Sequence, residues 1–327
     1  MKKDKIRWGI LGAGNIAQSF VKDFPLVKNG ELVAVAARDK HKAKEFAAAH
    51  NIPLAYTYEE LYNSNEVDAV YISTTHNFHF IQSFQCMQHG KAVLCEKPIT
   101  INDTESKQLT AFSKEKNIFL MEALWTYFLP AIIKAQQWVD EGRIGALKVI
   151  QADFAYPMEK NMDGRMYNPA LAGGALLDLG VYPVALATLF MKTKPDSIMA
   201  TGILTSTGVD ANTAMVFQYG ETTATLFTSM ETRMTNKLRL FGENGYIEVP
   251  DFWRAYGCKL YDKDFVLVES FDDKRVSHGF NYQILHATDK ILNNEIESNI
   301  ITHKRSNEIQ EIMTEVRRQI GLQYPME

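Results

Sequence analysis

Three side chains in this sequence could together manage a proton during oxidation of an alcohol. Lys97 sits in Glu96-Lys97-Pro98, directly after the apolar run Ala92 to Cys95. If that run is a strand of a parallel sheet, Lys97 stands at its carboxyl end, where such sheets bind ligands. A lysine there can stabilise a developing alkoxide and lower the pKa of a neighbour. A surface lysine beside a turn proline is the competing reading. Asp178 and Tyr182 are four residues apart in a segment with helical pattern, which puts both on one helix face. A tyrosine hydroxyl can shuttle the alcohol proton when a cation lowers its pKa from about 10. Their neighbours Leu177, Leu179, Val181 and Val184 are apolar, so a capping Asp and a core Tyr are the alternative.

The chemistry needs an acceptor for two electrons, and the N-terminal sequence offers a place for one. Gly12-Ala13-Gly14-Asn15-Ile16-Ala17 follows the apolar run Ile6 to Leu11. Gly12 permits a tight turn, Gly14 lets the backbone approach a pyrophosphate, and Ala17 lets the helix pack close to the strand. Asn15 and Ile16 open that helix, whose N-terminus faces the negative charge. A glycine turn alone is a weak signal, but its place at the start of a βαβ unit makes dinucleotide binding the better reading. The second strand ends in Ala36-Ala37-Arg38, not in the acid that accepts from an NAD ribose. A guanidinium favours a ribose 2′-phosphate, and Lys42, one helical turn on, adds charge. Asp39 is best read as the N-cap of the helix beginning at Lys40. NADP is therefore the expected cofactor and NAD the less favoured one.

The elements that would position these groups fall into two parts. Up to about Ala123, apolar runs (Ile6 to Leu11, Glu31 to Ala36, Val67 to Ser73, Ala92 to Cys95, Ile118 to Met121) alternate with helical stretches. That alternation argues for a parallel sheet covered on both faces. Beyond it come a helix from about Pro130 to Glu141, a strand from Leu147 to Phe154, and a long helix after Gly173-Gly174. Closely spaced strand-like runs follow: Ile198 to Leu204, Thr213 to Tyr219, Thr223 to Thr228, Lys237 to Phe241 and Phe265 to Val268. They suggest an antiparallel sheet. The chain should end in helices, with Ser306 capping the last one and Gly321 closing it. The fold class expected is α/β: an N-terminal Rossmann domain, 1–123, and a C-terminal α+β domain on an open, mostly antiparallel sheet, 124–327.

Bulk properties narrow the function classes. The 327 residues are 46% hydrophobic and 23% charged, enough for two ordinary cores. A net charge of −4 gives no basic field for nucleic acid. Cys86, Cys95 and Cys258 make neither a metal spacing nor a disulfide framework, so no metal is expected and a reducing, cytoplasmic compartment is. The longest apolar stretch, Ala175 to Phe190, contains Asp178 and reads as too short to span a membrane.

The order of these motifs resembles the glucose–fructose oxidoreductase and inositol dehydrogenase family, the Gfo/Idh/MocA group. Within it the chain is most similar to the dimeric dihydrodiol dehydrogenase and D-xylose dehydrogenase branch. The matching stretches are Ala37-Arg38-Asp39, residues 92–98, Met121-Glu122-Ala123-Leu124-Trp125-Thr126, residues 173–183, residues 245–250 and the ending from Arg317 to Pro325. The resemblance implies proton transfer by Lys97 and Tyr182, substrate orientation by Asp178, and a cofactor further held by Thr74, His76, His79 and Glu96. It implies a cis bond between Lys97 and Pro98, and Trp125 and Phe154 as aromatic pocket residues, for which core packing is the alternative. Many members carry His where this chain has Tyr182. Many also carry Thr-Pro-Asn where this chain has Thr74-Thr75-His76, which sets inositol-type substrates aside.

The expected function is NADP(H)-dependent hydride transfer at a hydroxyl-bearing carbon of a small sugar, polyol or cyclic diol. The alternatives are a sugar–sugar oxidoreductase with tightly bound NADP and a non-catalytic NADP(H)-binding regulator. A homodimer through the outer face of the C-terminal sheet is expected, with Met215, Phe217 and Tyr219 or their neighbours on that face; neither nucleic acid nor membrane is an expected partner.

Overall fold

A computed structural model describes residues 4–327, so the first three residues of the expected N-terminal domain lie outside it. The chain divides into two compact units. One comprises the residues up to Trp125 together with Val276–Asn307; the other comprises Thr126–Arg275 and Glu308–Glu327.

The first unit is a six-stranded, all-parallel sheet. Its strands are β1 (Ile6–Leu11), β2 (Gly30–Ala36), β3 (Leu54–Tyr56), β4 (Ala69–Ile72), β5 (Ala92–Glu96) and β6 (Leu120–Ala123), in the order β3-β2-β1-β4-β5-β6. The order reverses at β1, so the crevice for a ligand opens at the carboxyl ends of β1 and β4. β4 and β5 are buried at every position, as a sheet covered on both faces requires. Helix α1 (Asn15–Asp23) follows β1, and α2 (Lys40–His50) follows β2. Asp39 caps α2 by accepting from His41 N at 2.9 Å. The short β3 and the helix α3 (Tyr58–Asn63) after it carry no clear periodic signal. Helices α4 (His76–Gln88) and α5 (Asp103–Lys116) complete the alternation.

The second unit begins with α6 (Pro130–Asp140) and β7 (Leu147–Ala155). A five-residue π-helical turn, Leu176–Gly180, runs directly into α7 (Val181–Met191). Its other strands are β8 (Ser197–Leu204), β9 (Asp210–Tyr219), β10 (Thr222–Ser229), β11 (Lys237–Gly242), β12 (Gly245–Pro250), β13 (Gly257–Asp262) and β14 (Leu267–Asp272). They form one sheet ordered β14-β13-β12-β11-β7-β10-β9-β8, antiparallel except where β10 meets β7. Along β9 the buried positions include Met215, Phe217 and Tyr219. The outward residues are therefore their neighbours Ala214 and Val216, which fixes the register left open by the sequence. By length and hydropathy the helical stretch Pro169–Met191 could cross a membrane, with a mean hydropathy of 1.6, but 94% of that window is buried inside the protein.

The sequence pattern places all of 124–327 in the second domain, and the structure corrects this. Helix α8 (Phe280–Leu292) and the start of α9 (His303–Ile320) belong to the first unit. Asp23 accepts from the backbone N–H groups of Gly279 and Phe280, both at 2.8 Å, and so caps α8. Trp8 donates to Thr288 at 3.1 Å, and Leu120 N to Ile296 O at 3.0 Å. The cap of α9 is Thr302, which accepts from Arg305 N, and not the expected Ser306. Ser306 lies buried inside that helix. Gly321 closes it in the left-handed region, at φ 72°.

Candidate active site

The glycine turn has the geometry of an anion cradle. Gly12 adopts φ 110°, and a Cβ there would stand 2.9 Å from the Ser73 backbone, so only glycine fits. Gly14 is the N-cap of α1 and offers no capping side chain; the first turn of α1 carries no acid. Gly14, Asn15 and Ile16 are exposed. The start of α1 thus lies at the surface with no capping side chain at Gly14, and a helix N-terminus of this kind attracts negative charge. At the end of β2, Ala37 is buried while Arg38 and Lys42 are exposed. The acid beside them, Asp39, is engaged as a cap. This donor set fits a dinucleotide bearing an extra ribose phosphate.

Lys97 is held on a turn braced from three sides. Its peptide bond to Pro98 is cis, as the resemblance implied. Beneath it, buried Glu96 accepts from the Tyr71 hydroxyl at 2.5 Å and from Lys97 N at 3.3 Å. Buried His79 joins this turn to the one after β4: Nδ1 lies 2.7 Å from Pro98 O, and Nε2 lies 3.2 Å from Thr74 O. Burial, reinforced by His76, pushes its pKa down to about 3. A neutral imidazole has one N–H, which the nearer carbonyl, that of Pro98, takes. His76 packs edge-on at 5.7 Å, and Thr74 donates to Gln82 at 2.5 Å. The third brace is Glu122 on β6, whose Oε1 accepts from Ile99 N at 3.0 Å. Thr74, His76, His79, Glu96 and Lys97 are thus gathered at the carboxyl ends of β4 and β5.

Trp125 closes the first unit, stacked on Phe280 at 4.7 Å and 13°. Both rings are 4% exposed, so packing accounts for Trp125 within this unit.

Asp178, Tyr182 and Phe154 meet in the second unit. Asp178 lies in the π-helical turn and Tyr182 in the first turn of α7, so the four-residue spacing crosses a wider turn than an α-helix has. Asp178 receives both arms of the Arg165 guanidinium, each at 3.0 Å. The ring of Tyr182 meets Phe154 edge-on at 5.3 Å; Phe154 also contacts Trp253 at 5.4 Å, and Tyr156 lies 6.3 Å from Trp253. Sequence reasoning misses Arg165, Trp253 and Tyr156. Their spacing to Asp178 and Tyr182 follows no helical or strand period, so only the fold reveals them. Among the described residues no group of His, Cys, Asp and Glu is arranged to hold a metal ion.

Comparison with known proteins agrees with this architecture. Residues 6–124 match the oxidoreductase family with an NAD-binding Rossmann fold, and residues 132–248 match the GFO/IDH/MocA C-terminal domain. The chain is 36% identical to the trans-1,2-dihydrobenzene-1,2-diol dehydrogenase of Xenopus laevis, covering 98% of this chain and 99% of that one. It is 34% identical to the human enzyme of that name over the same shares. Among solved structures, the 3-ketoreductase KijD10 from Actinomadura kijaniata, in complex with NADP and TDP-benzene, superposes with a TM-score of 0.88 at 25% identity, over 97% of this chain and 98% of its own. The aldose-aldose oxidoreductase from Caulobacter crescentus shares the fold with a TM-score of 0.88 at 21% identity, over 96% and 97%. With its two parts matched in order and a relative similar along nearly its whole length, the chain belongs to the Gfo/Idh/MocA oxidoreductase family.

Proposed function

We propose that this protein is an NADP(H)-dependent dehydrogenase or reductase acting on a hydroxyl-bearing carbon of a cyclic diol, sugar or related polyol. The observation that carries the reading is Tyr182: a phenol whose ring is set edge-on against Phe154 in an aromatic cluster, one turn from a carboxylate already held by Arg165. Bound NADP supplies or accepts the hydride. The protein's part is the proton and the orientation. Tyr182 exchanges the proton of the substrate hydroxyl, and Lys97 stabilises alkoxide character there. Asp178 orients a neighbouring hydroxyl, and the aromatic side chains favour a flat or ring-shaped substrate. The relatives named for dihydrobenzene diols and the fold relatives named for sugars both use such carbons. The test is turnover on a panel of cyclic diols, aldoses and linear polyols with both cofactors. No turnover on any member, despite tight NADP(H) binding, would favour a regulatory role.

Cofactor choice should reside in Arg38. A charge-assisted bond to phosphate contributes roughly 1.5–3 kcal/mol, or about one to two decades in affinity. In Arg38→Ala, NADP(H) affinity should fall by that amount and NAD(H) affinity should stay. Equal losses for both cofactors, measured by fluorescence titration, would show that Arg38 does not read the phosphate.

Two copies of the chain pair through the outer face of the second sheet. Met199, Ala214, Val216 and Phe227 line an open hollow of about 480 Å³ there, and Met199 is 64% exposed. Contiguous exposed apolar surface of this kind marks an interaction site. Light scattering at micromolar protein should give the mass of a dimer, and Val216→Asp should shift it toward a monomer. A monomer mass for the unaltered chain refutes the pairing.

A further inference from the structure

We propose that Asp210 and the C-terminal residues Arg317, Tyr324 and Glu327 form a clamp on the segment Gly173–Leu176, which makes Tyr324 and Asp210 positioning residues for the Asp178–Tyr182 turn. The catalytic part of this inference rests on the role given to Tyr182 above.

The helix that carries Asp178 and Tyr182 begins with a π-helical turn, in which the backbone ladder is at its least regular. Such a start has N–H groups without partners inside the helix. Its position must therefore be set from outside, and three contacts do so. The Tyr324 hydroxyl donates to Gly173 O at 2.6 Å. Asp210 Oδ2 accepts from Leu176 N at 2.8 Å and from the Thr213 hydroxyl at 2.8 Å. Gly174 N donates to Met166 O at 2.8 Å, next to the residue whose guanidinium holds Asp178.

The fit around the two glycines leaves no room for drift. A Cβ on Gly173 would stand 2.6 Å from the carbonyl oxygens of Arg165 and Met166. A Cβ on Gly174, which adopts φ 109°, would stand 2.2 Å from Asp210 Oδ1. Asp210 is fully buried, and that oxygen accepts no hydrogen bond among the described residues. Burial raises its pKa to about 6, against hydrogen bonds and the charge of Arg317, which favour the anion. The C-terminal side is equally fixed. Arg317 lies over the Tyr324 ring at 5.0 Å and makes two 2.7 Å bonds to the Glu327 carboxylate. Glu327 also accepts from Tyr324 N at 3.1 Å. The ending from Arg317 onward, otherwise without a role, thus holds the Tyr324 hydroxyl against the first residue of the clamped segment.

Misplacement of a reacting group by about 1 Å can cost on the order of a hundredfold in rate. Tyr324→Phe keeps the ring and removes only the hydroxyl. It should lower kcat by about tenfold, leave NADP(H) affinity unchanged, and speed amide exchange at residues 173–182. Glu327→Ala, which releases Arg317 and the Tyr324 backbone N–H but keeps the Tyr324 hydroxyl, should change both readouts in the same direction by less. Unchanged exchange at 173–182 in both variants overturns the clamp. Faster exchange with full turnover overturns the positioning role, provided Tyr182→Phe is inactive in the same assay. Full turnover in Tyr182→Phe would instead refute the assignment of Tyr182, and the clamp is then decided by exchange alone.

Discussion

Tyr182→Phe should lower turnover by about two to four decades, the usual worth of general acid–base catalysis, while NADP(H) affinity is retained. The ring of Tyr182 is buried and edge-on to Phe154, so a Phe ring occupies the same volume and the fold is preserved. What is lost is the one hydroxyl assigned to take the alcohol proton. The cofactor cradle at Gly12, Gly14 and Arg38 belongs to the other unit, which is why binding and turnover should separate. Lys97→Ala should cost at least as much, because it removes the positive charge assigned to stabilise the developing alkoxide. The structure gives that lysine an uncommonly fixed backbone. Glu96 grips Lys97 N, His79 grips Pro98 O, and Glu122 grips Ile99 N. Single-turnover rates and cofactor titrations on both variants make the test. Near-normal turnover in Tyr182→Phe would give the proton to Lys97 or water. Near-normal turnover in Lys97→Ala would sink the proposed site.

Features written in short stretches of chain are legible in the amino-acid sequence. The alternation of strands and helices in the first unit, the glycine turn, the Asp39 cap and the closely spaced strands of the second each show in residues that are near neighbours in sequence, and local patterns report them. Features made by distant partners are not legible in this way. The return of α8 to the first unit depends on pairs such as Trp8 with Thr288, 280 residues apart. No periodicity encodes that. Strands β12 and β13 alternate buried and outward residues in the way strands should, but Glu248 and Lys259 on their outward face mask the apolar signal. Arg165 sits in irregular chain between Ala155 and Leu176, so its pairing with Asp178 is decided by the loop's path. Glu122 lies in one of the stretches that carry the family resemblance. It gives no signal of its own, because a lone carboxylate in an apolar strand has no chemical meaning until its surroundings are known.

Those surroundings make Glu122 a residue through which the stability of this protein should respond to pH. Its side chain is buried on β6, level with Cys95 of β5. Oε1 has the Ile99 N–H, while Oε2 accepts no hydrogen bond among the described residues. Burial pushes the pKa from 4.5 to about 7, and the nearby carboxylate of Glu96 pushes the same way. Ser306, the Ile99 N–H and the charge of Lys97 oppose the shift without cancelling it. A pKa raised on folding means that the folded protein binds this proton more tightly than the unfolded chain does. The stabilisation is therefore fully present below about pH 4.5 and is lost as the pH rises through 7. A shift of this size corresponds to roughly 3 kcal/mol. Glu122→Gln keeps a carbonyl oxygen for Ile99 N and cannot ionise. Its stability relative to the unaltered protein should climb by that order between pH 5 and pH 8, as read from denaturant midpoints at each pH. A difference that stays constant across this range would mean that Glu122 is already ionised in the folded protein at pH 5. The Lys97 turn would then rest on a carboxylate, and its charge, not its proton, would be what the turn requires.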